Sequence, residues 1–261
     1  MKYKLTIEYD GTRYSGWQAQ KNSRTVQGSI MTAAEQLFGT VTEIQGAGRT
    51  DAGVHALAQI AHLSVHKDLQ PIKIQYGLND ALPFDVNILK VEKVNERFHA
   101  RHSAIARSYV YQISTRRTAF GKQFVWWLKD ALNFERMNSA SQLFIGMHDF
   151  ISFADKKLEK GETRCKVESI EWAVDGELIL IRIRASHFLW KMVRRIVGTL
   201  VEVGRGTISS KNIESYLTSF SEQPAEWTAP PSGLFLEQIL YENEKWCVDL
   251  KPALPLASPR V

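Results

Sequence analysis

Residues 2–10 read "KYKLTIEYD". Apolar side chains occupy every second position, Tyr3, Leu5, Ile7 and Tyr9, with polar residues between them. A period of two marks a strand with one buried face. From Val26 the period changes. Val26, Ile30, Ala33 and Leu37 recur at helical spacing, and Gly39 supplies a C-terminal stop. Alternation resumes at Val41 and Ile44, breaks at a glycine-rich stretch, and returns at Ala61, Leu63 and Val65. "PIKIQYGLNDALP" (71–83) predicts a short helix ending before Pro83, and "VNILKVEKV" (86–94) another strand. The first hundred residues thus read β-α-β-β-α-β.

The second half echoes that order. "ARSYVYQIS" (106–114) is a strand with Arg107, Tyr109, Tyr111 and Ile113 on one face. "NFERMNSASQLFIG" (133–146) is a helix with Asn133 as N-cap and Gly146 near its end. "VESIEWAVDGELILIRIRA" (167–185) is a hairpin turning at Asp175-Gly176. "HFLWKMVRRIVGTLVEVG" (187–204) is a helix with Leu189, Val193, Ile196 and Leu200 inward, and "GLFLEQILY" (233–241) a last strand. The expected class is α+β. Two ferredoxin-like βαββαβ domains, 1–103 and 104–261, each carry helices on one face of an antiparallel sheet. Sheets of this kind can join edge to edge and leave a broad helix-free face. No low-complexity linker separates the halves. The tail "KPALPLASPRV" (251–261) is expected to be loosely held.

Composition narrows the class further. Hydrophobic residues make up 44% and charged residues 23% of the 261, ordinary for a globular chain. No apolar run reaches the roughly 18 residues of a membrane span, and the alternating start is unlike a signal peptide. Cys165 and Cys247 have neither metal-ligand spacing nor a disulfide framework. A reducing cytoplasm is the expected compartment. The net charge of +5 favours a polyanionic partner. Its distribution is more telling. Arg97, Arg101, Arg107, Arg116 and Arg117 fall in a stretch without an acid, and Lys191, Arg194, Arg195 and Arg205 surround Glu202 alone. Two solvated surface faces would give the same pattern.

The break in the alternation, "GAGRTDAGVHA" (46–56), concentrates chemistry among small residues. It lacks the lysine and the helix of a phosphate-binding loop, and the spacing of a dinucleotide fingerprint. An ordinary turn around Asp51 is one explanation. The other is a site, because Arg49, Thr50, Asp51 and His55 lie together and their small neighbours would admit a planar ligand. No second acid stands at a fixed spacing, as a two-carboxylate glycosidase would need. His55 has no Ser or Cys nucleophile beside it and reads as a structural hydrogen-bonder. His62 and His66 fall on a strand and its end, and His99 and His102 have no carboxylate or cysteine nearby in sequence, so a metal site is not expected. What remains is Asp51 as nucleophile or base. In a closed pocket such a group needs a fixed cation. Arg49 and the arginines of "KMVRRIVG", Arg194 foremost, are the candidates. Tyr109, beside Arg107 and Tyr111 on a basic sheet, can stack on a nucleobase.

Together these segments resemble the tRNA pseudouridine synthase A family. The matching stretches are "YDGTRYSGWQ", "TVQGSI", "GAGRTDAGVHA", "GLNDALP", "FHARHSA", "RSYVYQI", "GMHDF", "FLWKMVRRIVGTL" and "APPSGLFLEQILY", in the family's order from residue 9 to 241. The resemblance implies isomerisation of uridine to pseudouridine in the anticodon stem-loop of tRNA, with no cofactor and no metal. It implies two RRM-like domains joined into one extended sheet with a central basic cleft. It also implies a cytoplasmic homodimer with the RNA across both subunits, and no membrane. By position it makes Asp51 the nucleophile and Arg49 the residue that holds the flipped base out. Tyr109 stacks on the uracil and takes part in proton transfer. Arg194 pairs with Asp51, Leu234 lines the pocket, and Arg101 contacts RNA; Arg107, on the strand of Tyr109, is a further candidate for substrate binding. Departures are His102 where phenylalanine is common, Trp190-Lys191 where paired histidines are common, and Arg195 where asparagine is common. Three rivals stay open: a related synthase acting on another RNA such as ribosomal RNA, a non-catalytic RNA-binding module on the same scaffold, and a hydrolase built on Asp51 and His55.

Overall fold

A computed structural model describes residues 1–155 and 163–256. In chain order its elements are β1 (Lys2–Tyr9), α1 (Val26–Phe38), β2 (Val41–Gly46), β3 (His55–Val65), α2 (Pro71–Ala81), β4 (Val86–Val94), β5 (Ala106–Ser114), β6 (Trp126–Trp127), α3 (Phe134–Ser141), β7 (Gly146–Asp149), β8 (Arg164–Asp175), β9 (Leu178–Ala185), α4 (Met192–Arg205), α5 (Ser210–Thr218), α6 (Gln223–Glu226) and β10 (Leu234–Leu240). The class is α+β. The backbone divides into two compact units: residues 1–105 with 235–246, and residues 106–234 with 247–261. Among the described residues no helix is long and apolar enough to cross a membrane.

The first unit follows the expected order. Every second residue of β1 is buried, Tyr3 through Tyr9, and β1 pairs antiparallel with β3 on one side and β4 on the other. The far edge of β3 is shared. β2 pairs antiparallel with its end, from Gly46–Ala61 to Val41–Val65, and β10 pairs parallel with its start, Phe235–His55 and Leu236–Ala56. Thr25 caps α1, its hydroxyl accepting from Gly28 N at 3.3 Å, a contact worth about 1 kcal/mol. Gly39 ends that helix at φ 82°. Both helices pack on the sheet through buried Ile30, Ala33, Ile74 and Leu78.

The sequence order keeps 233–241 with the second domain, whereas the structure groups Phe235–Trp246 with the first unit. Strand pairing, not proximity along the chain, decides this. Ile105 N donates to Leu240 O at 2.8 Å, so the chain returns beside the point where it left.

In the second unit the strands run β5–β9–β8–β7, all antiparallel neighbours, with β6 parallel to β5. The strand pairing is therefore mixed, not purely antiparallel. Asn133 caps α3 as expected, accepting from Arg136 N at 3.0 Å. The helix expected from His187 starts only at Met192. Met192 N donates to Leu189 O at 3.1 Å in a turn, and Lys191 sits at φ 63°, outside helical geometry. The tail is better held than its composition implies. Ala253 N donates to the Gln112 side chain at 2.6 Å, and Leu250 and Leu256 pack on buried Val125, Leu178 and Leu180. Residues 257–261 lie outside the described residues.

One close approach fixes α4. A Cβ on Gly198 would lie 1.5 Å from Trp227 O, so segment 227–229 crosses the helix where a side chain is missing. Ala229 N donates to Arg194 O at 3.0 Å in the same crossing. Two effects oppose each other in Gly198→Ala. Helix propensity favours alanine by about 1 kcal/mol, while overpacking costs roughly 1–3 kcal/mol and a lost buried hydrogen bond adds to it. Steric cost wins. The expected outcome is a lower urea midpoint with an unchanged slope, a net loss of about 2 kcal/mol.

Candidate active site

The loop between β2 and β3 carries Arg49 and Asp51. Its geometry is set from below by the segment after β1. Trp17 N donates to Thr50 O at 3.1 Å, and the Tyr9 hydroxyl and Thr50 Oγ1 are 2.8 Å apart. Burial pushes the Tyr9 phenol upward, with its hydrogen bond to Thr50 opposing, so it stays protonated. Gly53 N donates to Tyr14 O at 3.3 Å, and Val54 N closes a turn onto the Asp51 carbonyl at 3.1 Å. Gly16, at φ 95°, makes this approach possible: a Cβ there would lie 2.6 Å from Thr50 O. Thr50 and Val54 are buried, Asp51 is half-buried and Arg49 is exposed. The loop is thus held at Thr50 and Val54, one residue before and three residues after the aspartate.

Beneath it, Tyr14 donates to Asp85, and Arg24 pairs with the same carboxylate at 3.0 Å while its guanidinium lies 4.5 Å over the Tyr14 ring. Of these three residues only Tyr14 lies in a stretch that carries the resemblance. No periodicity predicts that Arg24 and Asp85 meet. His55 behaves as a structural residue. It is buried and stacked on Phe235 at 4.8 Å, with Nδ1 3.1 Å from both Gly11 N and Asp10 Oδ1. An unprotonated Nδ1 serves Gly11, and a protonated one serves Asp10.

Arg101 is exposed on a turn anchored through its neighbour. Buried Ala100 donates its N–H to His62 Nδ1 at 3.1 Å, and its carbonyl accepts from Tyr241 at 2.6 Å. His62 Nε2 lies 3.1 Å from Glu43 Oε2, so a carboxylate does approach the histidines, contrary to what sequence spacing implies. It comes from the neighbouring strand β2. The His99 ring lies edge-on to His62 at 4.8 Å and tilted against His102 at 4.3 Å. Burial and these two neighbours keep His99 below the ordinary histidine range. Among the described residues no three His, Cys, Asp or Glu side chains are arranged to hold a metal ion.

The second unit holds Arg107, Tyr109, Arg194 and Leu234. Tyr109 lies on β5 opposite Ile183 of β9, 9% exposed, edge-on to Phe188 at 5.0 Å. Its neighbour Arg107 donates to Ser186 O at 3.0 Å. Arg194, near the start of α4, donates through Nε to Ala229 O at 2.6 Å. That carbonyl fixes the direction of the guanidinium without cancelling its charge. Tyr111 is wholly buried and donates to Pro230 O at 2.8 Å. Burial pushes its phenol far up, with the Arg194 charge opposing, so Tyr111 remains a hydrogen-bond donor. Leu234 is buried at the first position of β10. Arg195, beside Arg194, is buried and donates to Ala154 O; burial lowers its affinity for the proton while Asp155 opposes. Lys191 pairs with that same Asp155 at 2.8 Å. Two of the departures from the family pattern therefore share one acid.

The chain was compared with known proteins. A family described as tRNA pseudouridine synthase matches residues 5–103 and 140–242. A protein named tRNA pseudouridine synthase A from Rhodopseudomonas palustris (strain BisB18) is 40% identical over 243 residues, covering 92% of this chain and 99% of its own. Its namesake from Agrobacterium fabrum is 36% identical over 247 residues, with 93% of each chain covered. A tRNA pseudouridine synthase A 2 from Bacillus anthracis is 38% identical, covering 91% of this chain and 98% of its own. Among solved structures, one titled as a Cbf5-Nop10-Gar1 complex aligns with 76% of this chain and 54% of its own at 10% identity and a TM-score of 0.34, too distant to bear on the fold. The family match spans most of the chain, and the relatives agree from end to end: the chain belongs to the tRNA pseudouridine synthase family.

Proposed function

We propose that this chain converts uridine to pseudouridine in the anticodon stem-loop of tRNA, with Asp51 as the nucleophile. Isomerase activity on tRNA follows from the family; the position in the RNA and the residue roles are the proposal. The observation that carries it is the Asp51 loop, pinned at Thr50 by Tyr9 and Trp17 and flanked by small residues that leave the carboxylate approachable. The reading takes each unit as an RRM-like domain. It takes the enzyme as a cytoplasmic homodimer with the RNA across both subunits, working without cofactor.

The reaction breaks the N1–C1′ bond, turns the uracil and forms C5–C1′. It is an isomerisation, so C5 loses a proton and N1 gains one. A uridine stacked in a stem is out of reach and must be flipped. Unstacking costs a few kcal/mol, and stacking on Tyr109, worth roughly 1–3 kcal/mol, offsets it. Arg49, exposed at the rim of its loop, holds the vacated space. Asp51 acts covalently on the flipped nucleotide with Arg194 as its ion-pair partner. The Tyr109 hydroxyl takes part in moving the C5 proton, and Leu234 lines the pocket. Arg101 and Arg107 contact the RNA.

Asp51→Asn is expected to abolish release of tritium from tRNA labelled at uracil C5 while tRNA binding stays within about threefold of the parent. Substantial turnover would remove Asp51 from the nucleophile role. Tyr109→Phe keeps the ring and its contact with Phe188, so the fold and binding should hold while the rate falls by about 10²-fold or more. A rate equal to the parent's would show that the hydroxyl moves no proton. Mapping pseudouridines in total RNA with and without the gene separates tRNA from ribosomal RNA as the target.

A further inference from the structure

Beyond Ser114 the second unit carries a feature that the chemistry above does not use. Residues 115–129 include Arg116, Arg117, Lys122 and Lys129 and no acid. Two large apolar side chains stand in solvent there, Phe120 at 86% and Trp127 at 42% exposure. The Arg117 guanidinium lies 5.8 Å over the Trp127 ring. Single exposed aromatics need no explanation. An aromatic capped by one cation, on a segment bearing three more and no acid, is different, because a cation and a ring face together offer what a nucleotide presents: phosphate and base.

Neighbouring acids are engaged elsewhere. Glu177 accepts from Thr115 Oγ1 at 2.9 Å, and Asp130 pairs with Arg205 at 2.7 Å. Among the described residues Arg117, Lys122 and Lys129 form no ion pair. The segment is also built in advance. Leu128 N donates to Ser114 O at 3.0 Å, Gln112 Nε2 to Phe124 O at 3.0 Å, and Ser232 Oγ to Val125 O at 3.1 Å. Trp127 itself lies in β6, registered against Ser114. A surface already ordered loses little freedom when a ligand settles on it.

We propose that residues 116–129 form a second RNA-binding surface, with Arg117, Lys122 and Lys129 on the phosphates and an unpaired base stacked at the Trp127–Arg117 pair. The proposal rests on tRNA being the substrate. Tyr109 and Ser114 lie on one strand, about 16 Å apart at ~3.3 Å per residue. The surface therefore takes RNA remote from the reacting nucleotide.

The test measures binding of full-length tRNA across a salt series, and turnover, for the parent, Arg117→Ala/Lys122→Ala and Trp127→Leu. All three side chains are exposed, so folding is expected to be preserved. The double variant should bind about tenfold more weakly at low salt, with the slope of log affinity against log salt shallower by about two. Trp127→Leu keeps apolar bulk but loses the stacking face. It should weaken binding about threefold or more with the slope unchanged. For both, KM should rise and kcat stay at the parent's value. Equal affinity and equal slope in the variants overturns the surface and leaves the activity intact. A parent that binds tRNA yet releases no tritium overturns the activity, while the surface is still judged by the binding series.

Discussion

The loop that carries Asp51 is pinned to the core by two hydrogen bonds made one residue earlier. Thr50 gives its carbonyl to Trp17 and shares its hydroxyl with Tyr9. A loop of glycines and alanines has few side chains to pack, and a misplacement of about 1 Å is enough to spoil catalysis. The rigidity is imported. Tyr9 is the last buried residue of β1, and Tyr3, Leu5 and Ile7 lock that strand into the core. The alternation at the start of the chain is therefore also the first support of the candidate nucleophile.

The second unit solves the same problem with arginines bound to carbonyl oxygens. Arg194 donates to Ala229 O and Arg107 to Ser186 O. An acid would fix a guanidinium equally well but would cancel its charge. A carbonyl offers only a partial charge, so it aims the group and leaves most of its charge to act on other partners.

Much of the fold was legible because periodicity reports burial directly. β1, α1, β2, β3, α2 and β4 come in the expected order, and the Asn133 cap and the Asp175-Gly176 hairpin are where turn chemistry puts them. What failed were features decided by distant partners. The unit that claims β10 depends on pairing with β3, about 180 residues earlier in the chain, which no local window contains. The late start of α4 depends on a left-handed Lys191, a conformation its residue type does not announce. The tail is held by Gln112 and a buried leucine patch, although prolines and small residues dominate its sequence. The residues proposed for chemistry divide in the same way. Asp51 and Arg49 stand out in a local stretch, whereas the Tyr14–Asp85–Arg24 support joins segments that share no pattern.

The return of the chain to the first unit has a consequence for how the protein is made. A ribosome adds roughly 5–20 residues per second, and N-terminal domains commonly fold while the rest is still being synthesised. Here one edge of the first unit waits on a segment made late. Until residues 235–241 emerge, the edge of β3 away from β1 lacks its β10 neighbour at His55 and Ala56, and the Ala100 carbonyl lacks Tyr241. The loop bearing Asp51 runs directly into that unfinished stretch of β3. The stretch of β3 that follows the Asp51 loop therefore gains its β10 partner only after residues 106–234 have been made.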